Sequence, residues 1–193
     1  SGLNIVLKSI LNPGDEVLTF APYFMEYRNY VENYDGKLIT IFPNSSNFEP
    51  NLKELEETIH EKTKAIIINT PNNPTGLVYS KETISKLANI LSNKEQELGH
   101  PIFLISDEPY RELVYDDIEV PYITPYYKNT FIVYSYSKSL SIPGERIGYV
   151  VVPNELDDFE SMVTAITIAN RIIGCVNAPS LFQRVIMRCA NET

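Results

Sequence analysis

The sequence predicts an α/β fold, a three-layer αβα arrangement around a mostly parallel sheet, and three observations predict it. Short apolar runs recur along the 193 residues at Glu16–Phe20, Leu38–Phe42, Ala65–Asn69, Ile102–Ser106, Thr130–Tyr134 and Ile147–Val152. In Ala65-Ile66-Ile67-Ile68, Ile102-Phe103-Leu104-Ile105 and Phe131-Ile132-Val133, consecutive positions are apolar instead of alternating, the pattern of strands covered on both faces by helices. Segments with helical spacing stand between the runs. Such alternation calls for right-handed crossovers and places loops at the carboxyl ends of the strands, where open α/β sheets bind ligands.

Each element follows in order. Leu3, Val6, Leu7, Ile10 and Leu11 open the chain at helical spacing, and Pro13-Gly14-Asp15 turns it into the first strand. Leu52, Leu55 and Ile59 mark a helix before the run at Ala65. Ile84, Leu87, Ala88 and Leu91 mark another, led in by Ser80, whose hydroxyl suits an N-cap. From Ser180 the spacing returns in Leu181, Phe182, Val185 and Ile186. The first helix lacks a lead-in and the last lacks a stop signal, so residues 1–193 are expected to form one domain truncated at both ends.

Composition narrows the function. With 16 Lys+Arg against 25 Asp+Glu the net charge is −9, which argues against a nucleic-acid backbone or an anionic membrane as the main partner. No apolar stretch reaches the roughly 20 residues a membrane span needs, and no secretory pattern opens the chain. Cys175 and Cys189 form no CxxC and the two histidines are isolated, so neither a disulfide scaffold nor a metal site is expected. Reduced thiols in a cytoplasm are the expectation.

Three segments place polar residues directly after an apolar strand. Asn69-Thr70-Pro71-Asn72-Asn73-Pro74-Thr75-Gly76 fixes a sharp turn carrying two adjacent asparagines; taken alone, it is an ordinary turn whose amides bond their own backbone. Ser106-Asp107-Glu108-Pro109-Tyr110 puts a carboxylate at the end of a buried strand, where it needs a cation, a metal or several donors. Asp107 before Pro109 also reads as a helix start. Ser135-Tyr136-Ser137-Lys138, followed by Arg146-Ile147-Gly148-Tyr149, gathers hydroxyls and cations suited to an anion, although most lysines are simply solvated.

In order and composition these segments resemble the cofactor domain of pyridoxal-phosphate enzymes of the aspartate aminotransferase superfamily, class I/II. That family carries a Ser-Gly turn, PGDEV, P-x-Y, NNPTG, D-x-x-Y, S-x-S-K and R-x-G-Y. This chain has Ser1-Gly2, Pro13–Val17, Pro22-Tyr23-Phe24, Asn72–Gly76, Asp107–Tyr110, Ser135–Lys138 and Arg146–Tyr149. The ordered set covers nearly the whole chain and is far more specific than any one member.

The resemblance implies a fold-type-I large domain whose last strand is antiparallel, with pyridoxal 5'-phosphate (PLP) as cofactor. It implies Lys138 as the Schiff-base lysine and proton shuttle, and Asp107 as the carboxylate facing the pyridine nitrogen. Tyr110 and Asn73 match the pair that bonds the phenolic oxygen, Phe24 the aromatic stacked on the ring, and Pro109 its opposite side. Ser135, Ser137 and Arg146, with Ser1, Gly2, Leu3 and the amides opening the first helix, would hold the phosphate. Two positions depart from the family: Leu3, where a small or hydroxyl residue is common, and Glu145, where an apolar residue is commoner.

The implied reaction is transamination between an amino acid and a 2-oxo acid, in a homodimer with sites at the subunit interface. The resemblance places the carboxylate-binding arginine and a small domain C-terminal to this chain. Alternatives within the resemblance are a carbon–sulfur lyase and an inactive or regulatory aminotransferase-like domain. His60 and His100 read as surface residues near helix ends, Tyr122, Tyr126 and Tyr127 as packing, and Arg171 as part of a solvated helical face.

Overall fold

The computed structural model describes residues 1–44 and 47–190. Six strands form one sheet in the order β2-β1-β3-β4-β5-β6. β1 (Glu16–Phe20), β2 (Lys37–Ile41), β3 (Thr63–Asn69), β4 (Phe103–Asp107) and β5 (Thr130–Ser135) run parallel, and β6 (Gly148–Val151) lies antiparallel beside β5. The helices are α1 (Gly2–Ile10), α2 (Glu26–Glu32), α3 (Leu52–Thr58), α4 (Lys81–Leu98), α5 (Tyr136–Ser139), α6 (Phe159–Ile172) and α7 (Ser180–Cys189).

The continuous apolar runs have a direct structural reason. Alternate residues of β3 enter two different cores. Ala65 and Ile67 pack with Val6 and Leu7 of α1 and Tyr27 and Val31 of α2, with Met162 and Ile166 of α6 against them. Ile66 and Ile68 pack with Leu55 of α3 and Ile84, Leu87 and Leu91 of α4. Helices therefore cover both faces and both must be apolar, giving three layers. Each fully buried aliphatic side chain contributes about 1.5–3 kcal/mol, so the central strands anchor the sheet from both sides.

Caps fix the helix ends. The Ser80 hydroxyl accepts the Thr83 N–H at 3.0 Å, and Asn51 accepts that of Glu54 at 3.3 Å. Gly99, at φ 73°, ends α4 in the left-handed conformation and donates its N–H to Glu95 O. The helix start expected as one option at Asp107 does not form: the strand continues through Asp107 and a turn follows. The last strand is shorter than its apolar run. At Gly148 a Cβ would lie 2.2 Å from the Tyr134 carbonyl oxygen, so only glycine lets β6 come this close to β5.

Candidate active site

The sequence-selected residues converge at the carboxyl ends of β3, β4 and β5. Asn69 and Asp107 are register partners across β3 and β4, and Asp107 pairs with Val133 across β4 and β5. Asp107 has the parity of Phe103 and Ile105, which enter the core shared with α1 and α2. On that face the Tyr27 hydroxyl donates to Asp107 Oδ2 at 2.6 Å, while Oδ1 takes no hydrogen bond among the described residues. Burial pushes Asp107 up to about 6; the Tyr27 hydrogen bond opposes that rise and the nearby Glu108 charge adds to it. Tyr27 itself is held well above the ordinary tyrosine range, by burial first and by Asp107 second.

The turn after β3 separates its two asparagines. Asn72 Oδ1 accepts the Thr75 N–H at 3.1 Å and the Thr75 hydroxyl at 2.8 Å, so Asn72 builds the turn as the isolated motif suggests. Asn73 faces the other way: its Nδ2 donates to the Tyr110 hydroxyl at 3.3 Å. Buried Asn69 links this turn to the strand ends, donating to the Asp107 carbonyl at 2.7 Å and accepting the Asn73 N–H at 2.6 Å. Burial, and then the Asp107 charge, raise Tyr110 above its usual range, so its phenol stays protonated and able to donate.

The third segment completes the group. Lys138, on α5 just past β5, is exposed, and its Nζ lies 5.7 Å from the centre of the Tyr110 ring. The Ser135 hydroxyl accepts the Ser137 N–H at 3.2 Å and donates to Ser137 Oγ at 2.7 Å. Arg146 sits at φ 51°, in the left-handed region that costs a non-glycine residue energy, directly after the 3₁₀ turn Pro143–Glu145. Its exposed guanidinium donates to Pro143 O at 2.8 Å and makes no ion pair with Glu145 among the described residues.

Gly2 shows why α1 starts where it does. A Cβ there would lie 2.7 Å from Val133 Cγ1 and 3.3 Å from Val150 Cγ2. Without one, the first turn of α1 packs directly on β5 and β6, and its N-terminal amides with no intrahelical partner form an end that favours an anion. Ser1 is the N-cap of α1 and uses no side-chain cap bond. Leu3 is buried in the core, so it offers a backbone N–H and no side-chain contact. Phe24 packs edge-on to Tyr27, 5.7 Å between centres. A carboxylate, a phenol–amide pair and an amine thus share one end of the sheet, with the Ser135 and Ser137 hydroxyls at the close of β5, and with the start of α1 packed on β5 and β6. That donor set fits a phosphorylated pyridine.

Comparison with known proteins agrees. The family model for aminotransferase class I and II matches residues 1–193. The chain belongs to the class I and II aminotransferases. A crystal structure of an aminotransferase from Eubacterium rectale superimposes with a TM-score of 0.95 at 49% identity, over 97% of this chain and 48% of that one. Aspartate aminotransferase of Pyrococcus horikoshii is 33% identical over 171 residues, 88% of this chain and 42% of its own length. Asparagine–oxo-acid transaminase of Streptococcus mutans is 30% identical over 173 residues, 87% of this chain and 42% of its own length. The chain thus spans about two fifths of the curated relatives it matches.

Two residues hydrogen-bonded to the strand-end group carry no motif of their own. Tyr27 is in the first turn of α2 and Phe24 precedes that helix; the aromatic pair three positions apart, whose rings meet edge-on, is the signal available. Asn69 closes an apolar strand, where a buried amide has to find partners. Other candidates fall outside the site. His60 Nε2 meets Glu16 Oε2 at 2.9 Å, and the His100 ring bonds Pro101 O at 3.2 Å. Tyr127 is core, donating to Ile102 O at 2.6 Å, whereas Tyr122 is exposed beneath the Arg111 guanidinium. Arg171 is exposed on α6.

Proposed function

We propose that this chain is the cofactor-binding part of a PLP-dependent aminotransferase, moving an amino group from an amino acid to a 2-oxo acid. The observation that carries the reading is the linked placement of Asp107, the Asn73–Tyr110 pair and Lys138 at neighbouring strand ends. When bound, PLP supplies an electron sink for charge developing at the substrate α-carbon.

The chain's own residues do the rest. Lys138 Nζ would be the amine that holds the cofactor, and the same amine would carry a proton to and from the substrate α-carbon. Asp107 would offer its buried carboxylate to the ring nitrogen and so favour the protonated ring. A cationic ring nitrogen also offsets the desolvation cost that raises Asp107. Tyr110 would donate to the phenolic oxygen, with Asn73 orienting Tyr110. Phe24 and Pro109 would supply the apolar surface against which the ring is held. Ser135, Ser137, Arg146, Ser1, Gly2 and the Leu3 amide receive the phosphate at the start of α1.

The family resemblance implies a homodimer, and the exposed apolar side chains Ile168, Ile172, Leu181 and Met187 on α6 and α7 leave apolar surface for a further contact. No helix among the described residues is long and apolar enough to cross a membrane.

Half-reactions of the PLP-loaded protein test the proposal. An amino donor should convert the cofactor to its amine form with release of a 2-oxo acid, and a second 2-oxo acid should restore the starting spectrum. Pyruvate and ammonia released from a cysteine conjugate without any acceptor would point to a lyase. No spectral change with any donor would contradict both.

A further inference from the structure

We propose that Arg111 is a positioning residue, a clamp that holds Tyr110 in place against Asn73. Glu108 is only 2% exposed, and both its oxygens are engaged: Oε1 by the Ser106 hydroxyl at 2.8 Å, Oε2 by Arg111 Nε at 2.7 Å. The rest of the guanidinium reaches forward along the chain. Nη1 donates to Val120 O and Nη2 to Pro121 O, each at 2.8 Å, and the Tyr122 ring centre lies 4.1 Å from the guanidinium carbon. One planar group therefore ties the end of β4 to residues 120–122, a geometry a lysine ammonium cannot reproduce.

What the clamp closes is a segment without regular structure, whose other side-chain ties include the Tyr134 hydroxyl to Glu112 at 2.8 Å, Lys81 to Glu119 at 2.8 Å and Asn73 to Tyr110 at 3.3 Å. Residues 109–121 form no helix or strand, and Asp116 and Asp117 take left-handed φ of 59° and 54°. The segment forms one wall of a cleft of about 400 Å³ whose other wall is the turn after β3; Tyr110, Leu113, Val114 and Ile118 face Asn73 and Val78. Glu108 is fixed to the sheet by its N–H, which donates to Val133 O at 2.8 Å. Tyr110 sits in sequence between Glu108 and Arg111, so a loosened ion pair releases the backbone that carries the phenol.

This role of Arg111 rests on the reading that the Tyr110 hydroxyl faces the phenolic oxygen of PLP. A donor at that oxygen stabilises its anionic form and lowers the pH at which the proton shared with the Lys138 nitrogen is lost. Two variants separate position from charge. Arg111→Lys keeps the cation beside Glu108 but loses the two carbonyl bonds. Arg111→Met with Glu108→Gln removes both charges together and leaves no unpaired buried carboxylate. Neither changes the net charge near Tyr110, and Asp107 and Lys138, the charged groups around it, are untouched.

The experiment is a pH titration of the absorbance of the PLP-loaded protein, with Tyr110→Phe as reference. Tyr110→Phe should raise the midpoint by about one pH unit, a tenfold change in proton affinity. Each Arg111 variant should raise it by about half as much. Limited proteolysis between residues 111 and 120 should become faster in both. A midpoint moved by Tyr110→Phe but unmoved in both Arg111 variants overturns the clamp and leaves the Tyr110 reading standing. A midpoint unmoved in Tyr110→Phe overturns that reading and the clamp with it.

Discussion

The Tyr27 hydroxyl donates a 2.6 Å hydrogen bond to Asp107 Oδ2 from a residue 80 positions earlier in the chain. Tyr27 is fully buried, so the bond forms in a low-dielectric setting where a lost partner is not replaced by water. Hydrogen bonds to charged groups are worth about 1.5–3 kcal/mol, and Tyr27→Phe should cost an amount in that range at pH 7. The cost should shrink below pH 4, where the Asp107 carboxyl is neutral. Denaturant unfolding of both proteins at the two pH values measures it.

Asp107 makes stability depend on pH in the direction opposite to most carboxylates. Its pKa rises from 3.8 in the unfolded chain to about 6 in the fold, chiefly through burial. The folded state therefore holds the proton more tightly, and the contribution of this group to stability falls as pH rises from about 4 to 6. A rise of that size corresponds to a loss of about 3 kcal/mol. Asp107→Asn should remove this component. Without cofactor, the stability of Asp107→Asn minus that of the native sequence should grow by that amount across the window. Equal pH profiles for the two would contradict the assignment.

The two asparagines of the turn should behave differently when each is changed to alanine. Asn72→Ala removes both bonds from Thr75 and should lower stability by about 1–2 kcal/mol while leaving cofactor affinity close to native. Asn73→Ala removes the partner of Tyr110 and should weaken PLP binding more than folding. Thermal unfolding without PLP and a PLP titration of each variant give both quantities.

Gly148→Ala should destabilise by about 1–3 kcal/mol or more, because the added methyl meets the Tyr134 carbonyl of the paired strand. Gly144→Ala serves as the control, since nothing lies within 4 Å of its Cβ position. Unfolding midpoints of the two variants should therefore differ clearly.

The sheet is legible in the sequence because burial on both faces forces consecutive apolar residues, as at Ile66, Ile67 and Ile68. The shared location of Lys138, Asp107 and Tyr110 is legible because each follows an apolar run that ends at the carboxyl edge of the parallel sheet. Tyr27 is not, since its partner is on a distant strand and its own helix reads as ordinary. Asn72 and Asn73 are chemically identical, and only the backbone direction of the turn assigns one to structure and the other to Tyr110. The Arg111 clamp is hidden for a third reason: residues 109–121 have no period, so nothing local shows that Arg111 turns back to Glu108 and forward to Val120 and Pro121.

The role of Lys138 has a direct chemical test. The protein is incubated with PLP and reduced with borohydride, and the labelled peptide is located by mass spectrometry. One stable adduct should form on Lys138 and be absent from Lys138→Ala. An adduct on a different lysine, or one that survives in Lys138→Ala, would contradict the assignment of this lysine as the cofactor's anchor.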